Sequence, residues 1–102
     1  MVKLPYASRD PLSFRRLARK LLAEGADCGY YRLDCSSWDS VHVRLLSVMV
    51  YDRLSGLRMR LRKPVIVFEG GGSECRVESV WDGEAFRLEC EQLKKCCVTR
   101  GP

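Results

Sequence analysis

Six cysteines, one histidine and an evenly spaced row of arginines are the residues of this 102-residue chain best equipped for chemistry. Cys28, Cys35, Cys75, Cys90, Cys96 and Cys97 permit a metal cage, a reactive thiol pair or structural bridges. Zinc sites use ligand spacings such as Cys-x-x-Cys, which the chain lacks, and His42 lies within a strand-like run. The adjacent pair Cys96-Cys97 also lacks the two-residue spacer that tunes a redox thiolate. Gly70-Gly71-Gly72 is not followed by Lys-Ser/Thr, so it reads as a hairpin loop rather than a phosphate loop. No G-x-S-x-G is present either. The expectation is a protein without catalytic residues, metal or cofactor.

Bridges are the remaining use for the thiols. The segment SECRVESVWDGEAFRLEC, residues 73–90, has Asp82-Gly83 near its centre, a pair favoured in two-residue hairpin turns. Folding there sets Val80 against Ala85 and Val77 against Leu88, and it pairs Glu78 with Arg87 and Arg76 with Glu89. The same register brings Cys75 opposite Cys90, at a separation that suits a disulfide. Such a bridge closes a loop of about 16 residues and contributes about 3 kcal/mol by chain entropy. Cys28 and Cys35 permit a second bridge, and Cys96-Cys97 can equally pair with one of these.

The arginines suggest a binding surface. Arg58, Arg60 and Arg62 alternate with Leu57, Met59 and Leu61, so a strand places all three on one face. A four-residue loop at 53–56 sets Tyr51 opposite Arg58, Val50 opposite Met59 and Val48 opposite Leu61. Guanidiniums match phosphate geometry and an aromatic ring can stack a base. Lys63 adjoins the row, and Arg15, Arg16, Arg19 and Lys20 add cations on a helix. The ordinary alternative is a charged face that protects an edge strand from aggregation. Charge is also unevenly distributed: residues 1–63 carry thirteen basic and six acidic side chains, the remainder five and seven. The leading expectation is a small basic nucleic-acid-binding or ribonucleoprotein-associated protein that grips RNA or DNA by its phosphates. The alternative is a protein-protein interaction module, homo-oligomeric or a small viral or regulatory protein, with Ile66, Phe68 and Val80 as an apolar patch.

These residues need a scaffold. Asp10, Pro11 and Gly25 bracket a helix over 10–24 whose stripe is Phe14, Leu17, Ala18, Leu21 and Leu22. Residues 1–9 read as an extension and 93–102 as a tail. From 29 to 92 the period is two, which predicts an antiparallel meander of about five strands. A three-residue loop at Gly70–Gly72 pairs Val67 with Cys75 and Val65 with Val77, and Pro64 marks a bend. The expected class is α+β, one domain of helix plus strongly bent sheet, in the element order of small SH3-like or Sm-like barrels. Fold alone carries no function.

Composition suggests a setting. Asparagine is absent, Gln92 is the sole glutamine, and no apolar run has the length of a membrane span or signal peptide. The expectation is a cytoplasmic protein of a hyperthermophile, where intracellular disulfides are common.

Overall fold

A computed structural model of the chain describes residues 1–101. It is an α+β fold whose strands fall into three sheets, none of which closes into a barrel among the described residues. The largest sheet is a three-stranded antiparallel meander of β5 (Ser40–Asp52), β6 (Leu57–Gly70) and β7 (Ser73–Glu78). A second sheet orders β2 (Tyr6–Ser8), β9 (Phe86–Leu88) and β8 (Val80–Trp81). The third orders β1 (Val2–Lys3), β3 (Ala26–Asp27), β4 (Arg32–Asp34) and β10 (Val98–Arg100). The segment expected as an extension therefore supplies two strands, and the expected tail supplies one.

The helix α1 (Ser13–Glu24) buries Phe14, Leu17, Ala18 and Leu21, four of the five residues of the expected stripe. Asp10 does not cap it directly; its carboxylate accepts from the Leu12 amide and its carbonyl from Ser13. Gly25 ends it at φ 72°, and its amide donates to the Leu21 carbonyl at 2.9 Å. A Cβ there would strike the Leu33 backbone, so glycine is required twice over. The helix stripe packs with Ile66, Phe68, Val77, Phe86 and Leu88 in the core.

The β5–β6 ribbon holds the expected register, with Val50 opposite Met59, Val48 opposite Leu61 and Tyr51 opposite Arg58. The two other turns differ from expectation. Gly71 and Gly72 both have positive φ, 57° and 78°, and form a two-residue turn whose twist suits a hairpin. Pairing shifts by one residue, so Phe68 meets Cys75 and Ile66 meets Val77, on the helix side. Asp82–Ala85 is a four-residue loop, leaving Trp81 opposite Phe86 and Val80 opposite Arg87. The Asp82 side chain builds that loop by accepting from the Glu84 and Ala85 amides.

Pro64 lies inside β6 without breaking it. Its carbonyl points toward the β7 side, accepting from the Ser79 amide at 3.3 Å and the Ser79 hydroxyl at 2.8 Å. The missing N–H therefore falls on that side, where the β6–β7 ladder has ended, and pairing with β5 is untouched. Ser79 is also where the chain leaves the large sheet for β8.

That departure overturns the Cys75–Cys90 bridge. Beyond Ser79 the chain pairs with β9 in another sheet, so Phe86–Leu88 are not strand partners of β7 and the Cys75–Cys90 register does not form. Cys90 opens the short helix α2 (Cys90–Leu93) and bonds to Cys28. Cys75 bonds to Cys96 and Cys35 to Cys97. Residues 90–97 thus hold one end of all three disulfides. The charge pairs tied to the rejected register also change partners: Arg76 bonds Glu74, Glu78 bonds Lys63 and Arg87 bonds Asp82.

Candidate nucleic-acid interface

Along the β5–β6 ribbon the buried face changes over. Near the helix the odd-numbered residues of β5, Val41 and Val43, face inward with Ile66 and Phe68. Toward the tip the even-numbered Val50 and Asp52 are the buried ones, 8% and 4% exposed. Leu46 and Ser47, at the changeover, are both exposed. Ribbon twist accounts for this without a slip in register.

The consequence is a solvent-facing cationic surface at the tip. Arg58, Arg60 and Arg62 share one face with Ser47, Met49 and Tyr51, and all six are exposed. Arg60 donates to the Ser47 hydroxyl at 3.4 Å. None of the three arginines has a carboxylate partner among the described residues. Successive guanidiniums leave the strand about 6.8 Å apart, twice the rise per residue. Tyr51 pairs with Arg58 across the ribbon and is 57% exposed.

The reverse face is braced. Arg9, just past β2, reaches Asp52 at 3.6 Å and the Met59 sulfur at 3.7 Å, and lies 5.4 Å from the centre of the Trp81 ring. Trp81 stacks edge-on against buried Phe86. Asp52 is held below the usual carboxylate range, chiefly by the Ser55 hydroxyl, with the Leu54 amide and Arg9 assisting. The Arg53 amide donates to the Gly83 carbonyl at 2.8 Å, joining the tip to the Asp82–Ala85 loop.

At the opposite end of the large sheet, the face away from the helix is charge-balanced. His42 meets Glu69 at 3.1 Å, Arg44 and Arg76 share Glu74, and Lys63 meets Glu78 at 2.9 Å. These side chains roof Val65 and Val67, both buried. Arg76 and Lys63 hold Glu74 and Glu78, respectively, below their ordinary range. Lys63 was expected beside the arginine row but points to this other face, as alternation requires.

The helix cations divide. Arg15 and Arg19 border a cleft of about 330 Å³ against Val41, His42 and Val43. Arg16 and Lys20 flank a separate one beside Met1, Val2 and Tyr6. All four are exposed, and they form two flanks rather than one patch with the ribbon. Arg9 and Trp81 had no sequence signal, since their roles arise from strands 72 residues apart in the chain being neighbours in space. The expected apolar trio also divides: Ile66 and Phe68 carry the helix stripe, and Val80 is exposed. Comparison with protein-family models, with curated proteins and with solved structures gives no match, so the surface itself is what bears on function.

Proposed function

We propose that this chain is a small nucleic-acid-binding protein that engages the phosphate backbone through Arg58, Arg60 and Arg62, with Tyr51 as a stacking platform. One observation carries the proposal: these three guanidiniums share an exposed face with no carboxylate partner among the described residues, while the cations of the other sheet face are paired. Unpaired, exposed arginines in register are suited to polyanions, whose binding releases counterions. Every cysteine is bridged, so no thiol is free to act as a nucleophile, which favours binding over thiol chemistry. The three disulfides call for an oxidising environment; the setting we propose, a hyperthermophile's cytosol, rests on the absence of asparagine.

Filter binding of a labelled oligonucleotide across a salt series tests the proposal. Affinity should fall steeply and linearly in log–log form as salt rises. No retention at low salt, or retention indifferent to salt, contradicts it.

A further inference from the structure

The outer edge of β5 is open. Leu45 lies opposite Pro64, whose carbonyl faces β7, so this is a pair that exchanges no bonds across the ribbon. The main-chain groups of Leu45 therefore point away from β6, and by alternation so do those of Val41, Val43, Ser47 and Met49. Tyr51 has the same parity, and its outward carbonyl accepts from the Trp81 indole at 2.8 Å. From Val41 to Met49 these outward amides and carbonyls have no partner among the described residues. The strand has little edge protection: residues 40–52 contain no proline, glycine or lysine, Arg44 is engaged with Glu74, and the register with β6 has no bulge. Leu46 and Met49 add exposed apolar surface.

We propose that a second copy of this chain covers this edge, β5 pairing with β5 antiparallel about a two-fold axis at Leu45 and joining two sheets into one. The register follows from the residues. About Leu45, Val43 meets Ser47 of the second copy and Val41 meets its Met49, each an outward-facing position on both copies. On the other face Arg44 meets Leu46 and His42 meets Val48, so no like charges are direct cross-strand partners there. Centring on Val43 would set His42 against Arg44. Centring on Ser47 would need the Tyr51 carbonyl that Trp81 occupies. The Leu45 register also delivers Met49 of the second copy beside Val41 on the helix side. The cleft bordered by Arg15, Ala18, Arg19, Val41 and Val43 lies there, and an unbranched thioether can fill an irregular gap of that kind. An edge that is self-complementary in this way suits an isologous interface.

Sedimentation equilibrium of the oxidised full chain, without nucleic acid, tests the pairing independently of the arginine face. The chain should be dimeric in the micromolar range. Ser47→Pro removes an outward amide that the β5–β6 ladder does not use. It should weaken the dimer at least about tenfold while leaving the circular dichroism spectrum unchanged. Met49→Arg should do the same by charge, which guards against a folding defect in the proline variant. Leu45→Cys should form a covalent dimer under mild oxidation, because two such residues face each other across the axis. A monomer at every concentration, or a dimer that survives both Ser47→Pro and Met49→Arg, overturns the proposal. So does a monomer whose β5 edge becomes protected only by a different protein.

Discussion

Trp81 donates its indole N–H to the carbonyl oxygen of Tyr51 at 2.8 Å, tying the small β2–β9–β8 sheet to the tip of the long ribbon. The bond reaches the strand position that places the Tyr51 ring among the arginines. It links a structural element to the surface proposed to bind.

Trp81→Phe keeps an aromatic ring against Phe86 but deletes this donor. The expected loss is about 1 kcal/mol of stability, read from the urea midpoint. Amide exchange should quicken in residues 47–62 more than in α1. Uniform acceleration across the chain would show that the bond does not specifically hold the ribbon.

The disulfides predict an order of damage. Cys35–Cys97 and Cys28–Cys90 each span 62 residues, and Cys75–Cys96 spans 21. Loop closure assigns about 4 kcal/mol to each of the longer loops and about 3 kcal/mol to the shorter. Cys35 and Cys97 are also buried, so serine there adds a buried polar cost. The Cys35→Ser/Cys97→Ser variant should melt lowest of the three double variants. Peptide mapping of the unreduced protein should find these three linkages and no Cys75–Cys90 peptide.

Asp82 predicts the acid limb. The Ala85 amide first, then the Glu84 amide, then Arg87 draw its pKa down from 3.8 to about 2. The folded value lies below the unfolded one, so the charged form favours folding. Its contribution is full above pH 3.8 and is lost as pH falls through about 2. Asp82→Asn should flatten the fall in stability over that window while costing some stability at neutral pH. An unchanged acid limb would contradict the assignment.

What the sequence revealed depended on how local the determinant was. The α1 stripe and the β5–β6 register were legible because periodicity and a four-residue turn lie within adjacent residues. The Asp82–Ala85 loop was misread because an Asp-Gly pair also suits a longer loop in which the aspartate accepts from later amides. The disulfide pattern was illegible, since it depends on Ser79 leaving one sheet for another. The arginine row was legible by alternation, and the same rule explains the exclusion of Lys63. The bracing by Arg9 and Trp81 required tertiary structure.

The slope of log affinity against log salt for an oligonucleotide, compared between the native chain and Arg58→Gln/Arg60→Gln/Arg62→Gln, tests the binding account most directly. Three lost phosphate contacts should reduce the slope's magnitude by about 2 to 3 and weaken binding for all sequences alike. As a control, Arg76→Gln, whose parent residue is held by Glu74, should change neither. An unaltered slope in the triple variant, with the fold intact, would contradict the assignment of this face.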